Sequence, residues 1–523
     1  MLLRALLIGI IGGVTGMASV IDELQIHRPL IACTLVGLAM GDIRTGIIIG
    51  STLEFMALGW MNIGAAQSPD TALASVVATV LVIGTGQPIA TGIAIAVPVA
   101  VAGQMLTFLA RSLSVYFQHL ADRYADQANI SGIDFAHISS LSLQFLRVAI
   151  PAFLVALYID TYAAEYILNI IPDFIIKGLM VASGFIVVIG YAMVLNMIKV
   201  KNLWPYFFIG FLFAVFTNFT LAGLGILAVC FAILHVSLFN RDNVFNEETS
   251  ESRVVVRERI LTRRDLISVF IRSNIVQASW NYERMQALGF CYTVVPVIKR
   301  LYKGEEDIKA ALKRHLEFFN TQPFFAAPIF GVVAALEEEK ASGGDVDPST
   351  INAIKVGMMG PLAGVGDSIF WGTLRPITAA FGASLASSGS ILGPAVFFVS
   401  FNAVRLLTHW YGLVYGYRAG LNIVKDVSGG ALKSLNQGAT VLGMTIMGTL
   451  VARWTKISTP VVLTFSSQSI NLQQVLDSLL PGLMPLGLTF LCLYLLGKRI
   501  SSVWILVILF AIGIIGSYLG ILA

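Results

Sequence analysis

The amino-acid sequence predicts an all-α, polytopic membrane protein made of two helical halves. Three observations carry that prediction. Of 523 residues, 56% are hydrophobic and only 12% are charged, with a mean hydropathy of +0.81; a soluble domain carries roughly 25% charged residues. The apolar residues cluster in a long series of segments, each a candidate membrane helix. A polar stretch, 240–261, divides the series into two parts. The net charge of +4 does not point to nucleic acid. Cys33, Cys230, Cys291 and Cys492 are far apart in apolar surroundings. They show neither metal nor disulfide spacing and read as buried, inert thiols; no metal or cofactor is expected.

In the first half, residues 1–239, the candidate segments are 2–20, 29–41, 45–61, 71–85, 89–114, 139–158, 174–198, 203–218 and 221–239. The first has the charge and apolar run of a signal peptide and is read as a retained helix. Several are shorter than the ~20 residues of a full span. Short, glycine-interrupted segments of that kind mark binding sites in transporters.

Two polar clusters interrupt this half. Asp22-Glu23-Leu24-Gln25-Ile26-His27-Arg28 precedes Pro29, which favours a helix start just after it. The cluster reads either as an interfacial loop with paired charges or as a functional one. The second cluster holds Glu54, Trp60, Asn62, Gly64, Ala65, Gln67 and Asp70. Glu54 follows an apolar run, and an ionisable residue at that depth is costly without a partner or a task. Gly64 frees the backbone, and Pro69 blocks a helix. Asn62, Gln67 and Asp70 supply the hydrogen-bonding groups that a neutral polyol needs, and Trp60 could supply an aromatic face. The alternative is a polar turn at the membrane surface. Residues 111–126 mix apolar and charged positions and read as a helix leaving the membrane.

The divider carries Asn246-Glu247-Glu248 and then Arg253, Arg257 and Arg259. It reads as a solvated linker on the cytoplasmic side. After it, Thr262-Arg263-Arg264-Asp265 fits a capping box. Residues 304–319 form an amphipathic helix, with Ile308, Leu312, Leu316 and Phe319 on one face and Glu306, Lys309, Lys313 and Arg314 off it. Residues 262–323 are therefore expected to be aqueous or interfacial. Membrane segments follow near 390–407, 430–453, 473–494 and 502–522.

The second half, 262–523, also contains a glycine-rich stretch at 357–372 that ends in Asp367 and Trp371. It predicts a broken helix or re-entrant loop at a solute site, because irregular backbone in a bilayer survives only under protein or beside a wet cavity. Close helix packing is the alternative. A nucleotide loop is excluded by the missing Gly-Lys-Ser/Thr and the missing strand before it.

Two sets of strings carry a family resemblance. Asp22-Glu23-Leu24-Gln25-Ile26-His27-Arg28-Pro29 and Leu58-Gly59-Trp60-Met61-Asn62-Ile63-Gly64 resemble the IIC component of mannose-type permeases of the bacterial phosphotransferase system. Arg272-Ser273-Asn274, Trp280-Asn281-Tyr282-Glu283-Arg284, His315-Leu316-Glu317-Phe318-Phe319-Asn320-Thr321-Gln322-Pro323 and the glycine-rich stretch resemble the IID component. The resemblance implies a multi-pass protein of the bacterial inner membrane that translocates a hexose of the mannose, glucose or fructose class. Soluble IIA and IIB proteins would supply the phosphoryl group, so the chain itself would not be the enzyme. It further implies two inverted-related halves, a core moving against a scaffold in an elevator-like cycle, and a homotrimer surrounded by lipid. With it in hand, the sugar is expected between Glu54, Trp60, Asn62, Gly64, Ala65, Gln67 and Asp70 of the first half and Asn274, Gln277, Asn320, Thr321, Gln322, Asp367 and Trp371 of the second. Glu54 and Asp70 are candidates for a general base; His315 is expected to pair within its helix. An ion-coupled sugar symporter and a membrane enzyme are the alternatives from other classes.

Overall fold

Helices make up both halves of the chain. The first runs α1 (Leu2–Ile21), α2 (Pro29–Met40), α3 (Ile43–Met56), α4 (Thr71–Thr85), α5 (Ile89–Leu113), α6 (Val115–Asp126), α7 (Ile130–Ser139), α8 (Leu141–Tyr158), α9 (Asp173–Phe185), α10 (Val188–Ile198), α11 (Trp204–Phe216) and α12 (Leu221–Phe239). The second runs α13 (Arg263–Ser273), α14 (Ala287–Leu301), α15 (Glu305–His315), α16 (Ala327–Ala341) and α17 (Pro348–Gly366). A π-helical segment, Asp367–Leu374, then leads into α18 (Arg375–Ala386) and α19 (Leu392–Ala419). The chain ends in α20 (Gly430–Trp454), α21 (Leu472–Leu479), α22 (Leu483–Gly497) and α23 (Ser502–Tyr518). The computed structural model describes residues 2–62, 67–159, 173–185, 187–198, 201–219, 221–239, 259–344, 346–420, 430–465, 468–500 and 502–522. The linker expected at 240–261 lies outside them except for its last three residues.

Among the described residues three helical stretches are long and apolar enough to cross a membrane: Leu2–Ile21, Ile89–Asp126 and Ile130–Tyr158. α21 and α22 form a bent pair at 79°. The span expected at 174–198 is divided between α9 and α10, and the one at 45–61 ends early, at Met56. One departure from an all-helical chain is a small antiparallel hairpin of β1 (Val462–Phe465) and β2 (Gln468–Asn471), with Val462 opposite Asn471.

Local sequence explains the short elements. Pro29 sits in the first turn of α2, as expected. Gly41, in the left-handed region at φ 87°, ends α2, and the Asp42 side chain caps α3 by accepting from the Thr45 N–H. At 1.5 Å per residue, α2 and α3 reach only about 18–21 Å, short of the ~30 Å hydrocarbon core. They pack on each other as a helical hairpin, with Gly37 against Gly46. α1 lies on α8 through Gly9, Gly12, Gly13 and Gly16, and a Cβ at Gly16 would stand 2.4 Å from the Gln144 carbonyl. Without side chains on that face, the two backbones approach closely. Three of the four cysteines are buried and Cys230 is exposed.

Thr262 and Asp265 form the expected capping box at α13. The amphipathic helix forms as α15 and ends at His315. Leu312, Leu316 and Phe319 are buried. Arg314, expected on the solvated face, turns inward to pair with Glu337 through Nε at 2.6 Å and Nη2 at 2.9 Å. His315 Nε2 lies 2.8 Å from the same carboxylate, so its partner is on α16 rather than in its own helix.

Ion pairs join the halves. At the charged end, Asp122 meets Arg284 at 2.8 Å, Asp126 meets Lys313 at 2.5 Å and Asp134 meets Arg272 at 2.6 Å. His119 lies 2.9 Å from Glu283. Deeper in, Glu23 meets Arg405 at 2.9 Å and Asp22 meets Arg375 at 3.5 Å. Asp22, Glu23, His27 and Arg28 are all buried. The first polar cluster is thus an internal charged loop, with its charges paired as one reading of the sequence expects.

Candidate functional site

The glycine-rich stretch does not break. α17, the π-helical segment and α18 follow one another without interruption from Pro348 to Ala386. In place of a break, residues 367–374 widen to i→i+5 pairing, with the Arg375 N–H donating to the Phe370 carbonyl. Such segments occur mostly as local bulges, frequently at functional sites. Nor are the glycines a packing seam: a Cβ at Gly357, Gly360 or Gly364 would meet nothing within 4 Å. Gly366 is the exception, since its Cβ would stand 2.8 Å from the Gln322 Cβ.

Two polar cavities flank the widened turn. The first, about 20 Å³, is lined by Ser19, Asp22, His27, residues 60–62 and 68–71, Thr107 and Arg375. The second, about 40 Å³, is lined by Asn62, Arg111, Gln277, Trp280, Gln286, residues 320–323, Ala363, Asp367 and Trp371. Both are narrow, well below the ~300–1,000 Å³ of formed ligand pockets, so they must widen to admit a solute larger than water. Each draws on both halves of the chain, and Asn62 lines both. Asp367 and Trp371, four residues apart, face the second cavity; four further on, Arg375 faces the first. The Arg375 guanidinium lies over the Trp371 ring at 4.4 Å and donates to the Trp60 carbonyl at 3.1 Å.

The loop 320–323 is held tightly. The Gln286 side chain donates to the Thr321 carbonyl at 2.8 Å and accepts from the Thr321 N–H at 3.0 Å. The Thr321 hydroxyl donates to the Met359 carbonyl at 2.9 Å. Gln322 Oε1 accepts from the Phe324 and Phe325 N–H groups, while its Nε2 is buried with no hydrogen-bond partner. Trp60 Nε1 is likewise buried and without a partner. A buried donor left unpaired costs about 1–3 kcal/mol, and both residues line a cavity. Gln277 Nε2 donates to the Ile21 carbonyl at 3.1 Å and bridges the halves.

Several expected residues serve the frame. Glu54 is fully buried under Arg28, which donates through Nε at 2.8 Å, and it accepts from the Leu30 N–H at 3.1 Å. It lines neither cavity. Asp70 does line the first cavity, but it also pairs with Arg147, accepts from the Thr107 hydroxyl at 3.0 Å and caps α4 through the Leu73 N–H at 3.0 Å. Asn274 accepts from Arg405 at 2.6 Å and lies outside both cavities. Gln67 is also outside both linings, although its backbone carbonyl accepts from Gln104 at 2.7 Å. Gly64 and Ala65 lie outside the described residues.

Sequence reasoning missed other lining groups: Asp22, His27, Thr107, Arg111, Trp280, Gln286 and Arg375. The first cluster held a signal for two of them, its mixed charge beside Pro29. Arg111 held none, because it stands at the start of a stretch that reads as leaving the membrane, yet it is buried over the Trp280 ring at 4.5 Å.

Residues 260–522, half of the chain, match the sequence profile of the PTS system mannose/fructose/sorbose family IID component. The chain belongs to this family. Residues 2–234 match the profile of the PTS system sorbose-specific IIC component, so the permease carries both components in one polypeptide. The mannose-specific EIID component of Escherichia coli O6:H1 is 53% identical over 53% of this chain and 99% of its own length. The mannose-specific EIIC component of Escherichia coli K12 is 52% identical over 46% of this chain and 91% of its own length. A solved structure described as "Structure of membrane protein" is 55% identical over 50% of this chain and 99% of its own, with a TM-score of 0.49. The permease is an integral inner-membrane protein and a sugar-translocating subunit of a phosphotransferase system. Phosphoryl transfer belongs to IIB, and components of this kind work with soluble IIA and IIB proteins.

Proposed function

We propose that the permease binds a hexose of the mannose, glucose or fructose class in the paired cavities that meet at Asn62, and carries it inward for phosphorylation by a phospho-IIB partner. One observation carries this: amides, acids and tryptophans from both halves line cavities that share Asn62, and Trp60 and Gln322 contribute buried donors with no partner. Trp60, Asn62, Asp70, Gln277, Asn320, Thr321, Gln322, Asp367 and Trp371 form the site, with Gly64 and Ala65 beside it in sequence. Glu54, Gln67 and Asn274 support it from outside the linings. Hydroxyls pair with the amides and carboxylates, and the ring stacks on Trp60 or Trp371. Missing one hydroxyl leaves a buried group unpaired, which is how such a site separates epimers. We take residues 1–239 as the IIC-like unit, 240–261 as a cytoplasmic tether and 262–523 as the IID-like unit. The family resemblance extends the proposal to a trimer whose cores move against a scaffold in an elevator-like cycle, with the two halves related by inversion.

The ion-coupled alternative needs a free acid as proton carrier. Glu54 and Asp70, the acids first considered for it, each have an arginine partner. The test is uptake into vesicles of labelled mannose, with glucose, fructose, sorbose and amino sugars as competitors. Uptake that requires IIA, IIB and phosphoenolpyruvate supports the proposal. Uptake driven by a proton gradient alone overturns it.

A further inference from the structure

We infer that Arg111 is a phosphoryl-binding residue, and that the second cavity receives the phosphate of a hexose monophosphate as well as the neutral sugar; this rests on the hexose reading above. The guanidinium is buried in the last turn of α5 and lines the cavity. Its Nε has no hydrogen-bond partner. Among the described residues no carboxylate lies within 4 Å of it.

One feature offsets part of the burial cost. The Trp280 ring faces the guanidinium at 4.5 Å, a favourable cation–π contact. It supplies no acceptor for the N–H donors, of which a guanidinium has five. The other buried arginines of the deep network do have acceptors: Arg28 has Glu54, Arg147 has Asp70, Arg375 has Asp22 and Arg405 has Glu23. Arg111 departs from that pattern, and it does so in the wall of a cavity.

A neutral hexose can accept from Arg111 but cannot cancel its charge. A phosphoryl group does both, and the planar fork fits its oxygens two at a time. Asp367 is the only carboxylate among the cavity's lining residues. No ion pair joins it to Arg111, so the two charges are left for different parts of one ligand. Ring hydroxyls suit Asp367 and the Gln322 amide, and the phosphate suits Arg111. Position agrees with this. Beyond Ser114 the chain enters α6, whose Asp122 and Asp126 pair with Arg284 and Lys313. The Arg111 side of the cavity therefore adjoins the charged region that a soluble phosphoryl donor would approach.

The test uses the full chain in lipid nanodiscs, with mannose and mannose 6-phosphate as separate probes in equilibrium binding. Arg111→Gln is expected to weaken mannose 6-phosphate about 10- to 100-fold more than it weakens mannose, the loss of a charged hydrogen-bond pair. Arg111→Lys, which keeps a point charge without the fork, should fall between. Retained mannose binding also reports an intact fold. Equal weakening of both probes, or of neither, overturns the assignment. If the parent chain binds none of mannose, glucose, fructose or sorbose, the hexose reading itself fails and takes this inference with it.

Discussion

Replacing Asp70 with asparagine should destabilise the permease substantially, and the pairing with Arg147 says by how much. Asp70 accepts from Leu73 N–H, from Thr107 and from the Arg147 guanidinium. Asparagine caps a helix about as well as aspartate, so the cap contributes little to the change. The large effect is the buried arginine left without its counter-ion, which costs about 3–5 kcal/mol. Arg147 keeps Gln144 Oε1 at 2.8 Å, the Gly16 carbonyl at 3.3 Å and the Ser19 hydroxyl, which places the loss nearer ~3 kcal/mol. Removing the second charge should restore most of it, because a neutralised buried pair is often near balance. Asp70→Asn/Arg147→Gln should therefore be more stable than either single variant, with a coupling of about 3 kcal/mol. Denaturant unfolding in detergent, followed by tryptophan fluorescence across the four proteins of the cycle, measures this. Single effects that add to within ~0.5 kcal/mol would refute the reasoning, since independent sites behave that way. The double variant also separates folding from binding: a stable double variant with weakened hexose affinity assigns the carboxylate to the sugar.

Trp60→Phe removes an unpartnered Nε1, so stability should change by less than about 1 kcal/mol while hexose affinity falls roughly tenfold; isothermal titration reads both sides of that contrast when combined with unfolding. Gln322→Glu keeps the oxygen that caps Phe324 and Phe325 and deletes the free Nε2 donor. It should express and assemble normally and show lowered uptake, and parental uptake would remove Gln322 from the site. Exchanging residues 241–258 for a Gly/Ser chain of equal length should preserve transport. Residues 259–261 are left unchanged, because Leu261 is buried where the Ile260 and Leu261 N–H groups meet the Glu338 carboxylate. Lost transport with normal assembly would give the tether a second role.

The two-half plan, the helix starts at Pro29 and Thr262 and the amphipathic α15 are legible in the sequence because each depends on neighbours within a few residues. The cavity's composition is partly legible for the same reason: Trp60, Asn62 and Asp70 lie in one short string, as do Asn320, Thr321 and Gln322. What a side chain does with its charge is not local. Glu54 and Asp70 look like free acids until Arg28 arrives from the loop before α2 and Arg147 from α8, and Arg111 looks solvated until Trp280 arrives from the other half. The glycine-rich stretch misleads differently. Glycine lowers the cost of several backbone shapes without choosing among them, so a break, a close crossing and a π-helical turn all suit the same letters. The hairpin at 462–471 carries a run of Val, Leu, Thr and Phe that favours strand, but it is too short to stand out beside long apolar segments.

The ion pairs across the two halves have a consequence for stoichiometry. In five of them the acid comes from the first half and the cation from the second: Asp22, Glu23, Asp122, Asp126 and Asp134 against Arg375, Arg405, Arg284, Lys313 and Arg272. Sign thus works as an address. Two first halves brought together along this seam would oppose acid to acid, and two second halves cation to cation, and like charges so juxtaposed cost several kcal/mol. Joining both components in one polypeptide adds a local concentration on the order of millimolar and guarantees equal supply. A half made alone would strand Asp22 and Glu23, and quality control would meet an orphan with desolvated acids and no cations to quench them.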